Sequence, residues 1–392
     1  MLGASAVEQD AMTYRAPLAG LRVLDFTTML AGPYASRLLA DAGAEVIKVE
    51  SEHGDHNRER RPLRDGFSSL FGHLNAGKKS VVLDLKSAAG LRHARALAAT
   101  CDIAIENWRP GVADRLGVGH ADLRTLRPDI IFCAISGYGQ TGPGAGRAAY
   151  APIIHANCGY DLMQLQHLQA PNLAPATGTY VADVFGGLAA FAAIQMALFD
   201  RERSGSGRFI DVALFDGMIN LLVFECQAVQ FPGQTPRIHR AVATADGYIV
   251  ITPTSQKNFE ALAHATGHPE WVRDARFAAT ADRERNWTTL MQLIGEWTSQ
   301  RTAADAEALL ISVGVPCSRY RALADALADP QLVSRDVMAD VTDGAGTFRV
   351  PNPPFRMQGL DTTVRPFVAR LGEHTDEVLS ALGTPGGQAS WP

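Results

Sequence analysis

Cysteine offers no scaffold in this sequence. The 392 residues include five, Cys101, Cys133, Cys158, Cys226 and Cys317, scattered and with no C-x-x-C pair. Neither a disulfide framework nor a cysteine zinc site is indicated. Four sit in apolar runs and are expected to be small core residues. An excess of positive charge is also missing, since 36 Lys and Arg face 41 Asp and Glu for a net charge of -5. That balance argues against a broad nucleic-acid or anionic-membrane surface, while a local basic pocket remains compatible with it. The start, MLGASAVEQDAMTYR, has no apolar signal core and reads as a disordered tail. The longest apolar stretch, Val181 to Phe199, is rich in Ala and Gly and contains Asp183 and Gln195. A buried helix is expected there rather than a membrane span, and the expected compartment is the cytoplasm.

What is present is an alternation of strand and helix. Apolar, β-prone runs occur at LRVLDF (21–26), AEVIKVE (44–50), SVVLDL (80–85), DIAIEN (102–107), DIIFCAIS (129–136) and RFIDVAL (208–214). Helical spacing fills most of the gaps, for example Tyr34 to Asp41 behind Pro33. Such units imply an α/β fold with a mainly parallel sheet covered on both faces. A long helix is expected from Val181 to Arg201, stopped by RERSGSGR, and an apolar one from Phe215 to Ala228. PGQTPR (232–237) reads as a linker, and 241–323, with Trp271, Trp287 and Trp297, as a small second domain. The large domain spans 17–230, and 325–392 is expected to return to it, ending in a short helix near Asp376 to Leu382.

Ligands of an open parallel sheet sit outside the carboxyl ends of its strands. Those ends carry residues 27–32, Lys86, the run Asn107-Trp108-Arg109-Pro110-Gly111 with Arg115 beyond it, and 137–144 leading to Arg147 and Tyr150. Taken singly, each Lys or Arg is more often solvated surface and each Gly-rich run only a turn. Their convergence on one edge points to a phosphate-bearing ligand. The first loop is not G-x-G-x-x-G, which weakens a dinucleotide reading.

Asp183 is the only Asp, Glu, Lys or Arg between Asp161 and Asp200. An ionised carboxylate in so apolar a run demands compensation. Either it complements the helix dipole in the first turn, or it does chemistry as a partly desolvated group beside a ligand. Gly178, Gly186 and Gly187 nearby would let a backbone or a bulky cofactor approach. No histidine has metal-ligand spacing. His155, in APIIHANCG, reads first as a hydrogen-bonded core residue and second as an acid/base.

Several motifs together resemble one family. PLAGLRVLDFTTMLAGPYASRLLADAGAEVIKVE, KKSVVLDLKSAAG (78–90), ENWRPGVADRLGVG (106–119), SGYGQTGP (136–143) and LGEHTDEVL (371–379) recur in order at the spacing of the class III CoA-transferases. The likeness runs from about Pro17 to Leu382. It implies a Rossmann-like large domain and a smaller α/β domain joined by two linkers, with two chains interlocked as an intertwined homodimer. It places the catalytic nucleophile at Asp183 and coenzyme A contacts at Leu30, Ala31, Lys86, Asn107, Arg115 and Tyr150. It implies that acyl-CoA and carboxylic acids are substrates, with no metal or permanently bound cofactor. The glycine-rich loop of formyl-CoA transferase has no equivalent between Phe224 and Ala243, which argues against oxalate or formyl specificity. The family also holds α-methylacyl-CoA racemases. Their base follows a glycine where this chain has Gly146-Arg147, so the alternative, a racemase of 2-methylacyl-CoA thioesters, would have to use the offset His155.

Overall fold

The computed structural model describes residues 16–168, 170, 172–233 and 238–382. The expected N-terminal tail and the end of the 232–237 linker lie outside them. The described chain forms two compact units, one built from 16–223 with 334–382 and the other from 224–333. Segments 224–230 and 325–333, which the sequence reading put with the large domain, fall in the second unit. The expected apolar helix over 215–228 breaks at Leu222 into Leu214–Leu221 and Val223–Gln230, and the unit boundary follows that break.

In the first unit six strands form one sheet: β1 (Arg22–Asp25), β2 (Glu45–Glu50), β3 (Lys79–Val82), β4 (Ile103–Glu106), β5 (Ile131–Ser136) and β6 (Phe209–Ala213). All five pairings are parallel, in the order β3-β2-β1-β4-β5-β6. Chain direction across the sheet reverses between β1 and β4, which makes the crevice above their carboxyl ends the expected ligand site. Alternate residues feed two cores. Ile103, Ile105, Ile131, Cys133 and Ile135 pack on one face with the Ala31–Asp41 and Val181–Ser204 helices. Ala104, Phe132 and Ala134 pack on the other, where Val378 of the Thr375–Leu382 helix joins them. The period of two along each strand makes both faces apolar.

The last segment also contributes an antiparallel hairpin, Met338–Asp343 with Gly346–Pro351, that the weak sequence pattern did not suggest. The second unit is built on a three-stranded antiparallel sheet, with Tyr248–Ile251 between Val242–Ala243 and Cys317–Arg319. Phe259, Trp271 and Phe277 centre its separate core.

Two expectations need correction. The Val181–Ser204 helix is not a wholly buried one: only a third of its most apolar window is covered, and Met196 and Phe199 are 68% and 66% exposed. Only Cys101 and Cys133 are fully buried. Cys158 caps a helix end and Cys317 lies on an edge strand, positions that leave both partly open.

Candidate active site

The crevice above β1, β4 and β5 holds a cavity of about 230 Å³. Thr28, Met29, Leu30 and Ala31 line it, as do Asn107 to Pro110, Ser136, Gly137, Arg147, Tyr150 and Asp183. Five of the seven residues carried over from the family likeness therefore meet in one place: Leu30, Ala31, Asn107, Tyr150 and Asp183. Lys86 and Arg115 do not line it. Lys86 is exposed in the turn after β3, its N–H bonded to Asp84, and Arg115 is exposed at the end of the Val112–Arg115 helix.

The loop 27–29 owes its shape to side chains, because it has no partner strand of its own. Thr27 donates its N–H to Asp25 at 2.8 Å, and its carbonyl accepts from Lys48 Nζ at 2.7 Å. The Thr28 peptide is clamped on both sides by Asn107, whose Oδ1 accepts from N–H at 2.9 Å and whose Nδ2 donates to the carbonyl at 2.7 Å. Met29 sits at φ 68°, a left-handed conformation that costs a non-glycine residue energy. Its carbonyl accepts from Asn57 Nδ2 and its N–H faces Asp55 at 3.4 Å. The Ala31–Asp41 helix then begins without any side-chain cap, and Leu30 and Ala31 at its start are among the residues that line the cavity.

Buried charge underlies this loop. Asp25 accepts from Lys78 at 3.1 Å and Ser36 at 2.6 Å, while Lys48 pairs with Asp55 at 3.0 Å. Burial acts to raise the Asp25 carboxyl, but the Lys78 and Lys48 charges hold it below its ordinary value. Lys78 is pushed down to about 8 by burial, which leaves it charged at neutral pH. At the end of β4, burial pushes Glu106 up to about 8, although its carboxylate accepts the Trp108 N–H at 2.7 Å.

Asp183 stands in the first turn of the Val181–Ser204 helix, half-buried. Burial pushes its carboxyl up to about 6, with the Arg60 charge acting the other way. A carboxylate in this state is ionised at neutral pH yet poorly hydrated, the condition in which it can attack an electrophile. Close helix contact holds it here. A Cβ on Gly187 would lie 2.7 Å from the Ala31 carbonyl oxygen, so the close approach expected at this glycine is that of another backbone.

His155 is fully buried in the Ala151–Asn157 helix. Its Nε2 accepts the Ala182 N–H at 3.0 Å, and burial holds the imidazole below its ordinary value. Nε2 is thus occupied, while Nδ1 has no hydrogen-bond partner among the described residues. Among the described residues no cluster of three or more His, Cys, Asp or Glu is placed to hold a metal.

The clamp residues Asp55, Asn57, Lys48 and Lys78 escaped the sequence reading. A lysine inside the apolar EVIKVE was their one visible signal. Arg109 and Arg147, both exposed, supply cations at the cavity rim, and Arg147 lies 4.8 Å over the Tyr138 ring.

Comparison with known proteins adds the following. The family described as CoA-transferase family III matches residues 18–375. Mouse succinyl-CoA:glutarate CoA-transferase is 32% identical over 93% of this chain and 86% of that protein. Acetyl-CoA:oxalate CoA-transferase of Acetobacter aceti is 33% identical over 95% of this chain and 97% of its own. A crystal structure of a CAIB/BAIF family protein from Brucella suis superposes with a TM-score of 0.80 at 33% identity, covering 94% of this chain and all of that one.

Proposed function

The chain belongs to CoA-transferase family III and is an enzyme of that class, and from that premise we propose that it moves coenzyme A between carboxylic acids through Asp183. The observation that carries this reading is a half-buried carboxylate, Asp183, on the wall of a cavity that the uncapped helix start Leu30–Ala31 also lines. An oxygen of Asp183 attacks the thioester carbonyl of an acyl-CoA, and the C–S bond breaks to give a mixed anhydride and CoA thiolate. The thiolate then attacks the aspartyl carbonyl, releasing the donor acid and leaving an aspartyl-CoA thioester. The acceptor carboxylate displaces the thiolate to form a second anhydride. Attack by the thiolate on the acceptor carbonyl gives the new acyl-CoA and restores Asp183. Each tetrahedral oxyanion gains from donors fixed in advance, and the Leu30–Ala31 helix start supplies such donors.

Coenzyme A presents phosphates, to which Arg109 and Arg147 at the rim and Lys86 and Arg115 on the same edge are complementary. The two relatives are named for different acids, glutarate in one and oxalate in the other. The racemase alternative is less well supported, because His155 is not among the residues that line the cavity with Asp183.

We also infer that the working form is a homodimer. Met196 and Phe199, three residues apart on the Val181–Ser204 helix, are 68% and 66% exposed, an apolar area that a second copy of the chain would cover. Light scattering should then give twice the 42.0 kDa chain mass.

The deciding experiment is intact-protein mass spectrometry after incubation with succinyl-CoA and a panel of other thioesters, followed by hydroxylamine. A hydroxamate mapped to Asp183 is expected. If no thioester modifies Asp183 and some exchange an α-proton for deuterium, α-proton transfer replaces this reading.

A further inference from the structure

The Val181–Ser204 helix starts without help from its own N-cap. Tyr180 lies at φ -90° and ψ 62° and makes no side-chain capping bond. The first four N–H groups of any helix need partners from elsewhere. One of them, Ala182 N–H, finds its partner in an imidazole 27 residues earlier, His155 Nε2 at 3.0 Å. The next residue along the helix is Asp183. A ring nitrogen that accepts a hydrogen bond carries no proton, so the neutral ring holds its proton on Nδ1. Among the described residues that Nδ1 has no hydrogen-bond partner, although His155 is fully buried. An orphaned buried donor is a cost that calls for an explanation. What the buried ring does supply is its other nitrogen, an acceptor placed at the turn that carries the carboxylate. The ring itself is fixed by the Tyr160 side chain, centroid to centroid 5.2 Å.

We propose that His155 is the positioning residue for Asp183: by accepting the Ala182 N–H it fixes the first helical turn and so aims the Asp183 carboxylate into the cavity. This rests on Asp183 being the nucleophile. His155 itself exchanges no proton with substrate, and any side chain that offers an acceptor at the same point should replace it.

Two variants separate this role from a general packing role and from proton transfer. His155→Gln keeps an acceptor and removes the titrating ring, while His155→Leu fills similar space without an acceptor. The rate of Asp183 acylation by succinyl-CoA, or by whichever thioester acylates the wild type, is read by quenched mass spectrometry, together with KM. His155→Gln is expected to stay within about threefold of wild type. His155→Leu should acylate about 30-fold more slowly at nearly unchanged KM, an effect of misaligned attack rather than weakened binding. The inference is overturned if the Leu variant acylates at the wild-type rate, if the Gln variant is as slow as the Leu variant, or if KM rises in step with the loss. Should the Leu variant not fold, the Gln variant decides alone: retained acylation supports an acceptor role, and lost acylation overturns it. A wild type that no thioester acylates would instead refute the proposed function.

Discussion

Asn107 closes both hydrogen bonds of the Thr28 peptide unit, accepting its N–H at 2.9 Å and donating to its carbonyl at 2.7 Å. A residue expected to touch coenzyme A thus has its Oδ1 and one Nδ2 hydrogen committed to the loop that frames the cavity. Asn107→Ala should raise KM for acyl-CoA about tenfold or more by freeing residues 28–31. Hydrogen exchange at the Thr28 amide distinguishes the routes. Faster exchange in the variant is expected, whereas unchanged protection with the same KM change would mean that Asn107 acts on the ligand directly.

Asp183 should behave as a carboxylate that function keeps at the expense of stability. Its native value of about 6 lies above the ordinary 3.8, so the native state holds the proton more tightly than the unfolded chain. The stabilising contribution is complete below pH 3.8 and is lost as pH rises through about 6. Asp183→Asn should therefore abolish transfer and raise unfolding stability at pH 7 by about 1–3 kcal/mol, with little difference at pH 4. Urea melts at the two pH values test this, and equal shifts at both would contradict it.

The same titration sets the rate. Acylation requires the ionised form, so its second-order rate constant should fall tenfold per pH unit below about 6. Stopped-flow release of free thiol at subsaturating acyl-CoA measures it. A profile flat from pH 7 down to 4.5 would mean that the attacking carboxylate is not the one held at about 6.

The charged pairs under the loop should matter to folding more than to chemistry. Lys78 and Asp25 are both fully buried and 3.1 Å apart. Lys78→Met leaves Asp25 its Thr27 and Ser36 hydrogen bonds but only the Lys48 charge, and stranding one member of a buried pair costs about 3–5 kcal/mol. The cost should shrink as pH falls far enough to protonate Asp25, whose native value is held low by the lysine charges. Denaturant melts of Lys78→Met against wild type, compared at pH 7 and pH 3, read both parts.

The sheet was legible because its strands are short apolar runs separated by helical spacing, and each expected strand lies within a few residues of an observed one. The cavity edge was legible for the same reason, since strand ends fix where loops converge. What stayed hidden is tertiary. Nothing local in EVIKVE says that Lys48 reaches the Thr27 carbonyl, or in APIIHANCG that His155 meets Ala182. Met29 carries no sign of its left-handed backbone, which depends on Asn57, 28 residues away. The hairpin over 338–351 was missed because its residues are half polar and its pairing is held by neighbours such as the bridge from Thr342 to Phe367.

Three glycines near Asp183 offer a graded test of how closely the helices must approach. Replacing a mid-helix glycine by alanine normally gains about 1 kcal/mol of helix propensity. At Gly187 the added Cβ would lie 2.7 Å from the Ala31 carbonyl oxygen, a backbone atom that can move only with its helix. At Gly186 it would meet Leu214 Cδ2, the tip of a side chain that can change rotamer. At Gly178 nothing lies within 4 Å. Gly187→Ala should thus destabilise by about 1–3 kcal/mol, the usual cost of overpacking, and should slow acylation by pushing Asp183 away from the Ala31 helix start. Gly186→Ala should be close to neutral as propensity offsets the shift of Leu214, and Gly178→Ala should leave both properties unchanged. Thermal melts with acylation rates for the three variants check the order. If Gly187→Ala proves as mild as Gly178→Ala, the approach of the two helices is not what holds Asp183 at the cavity.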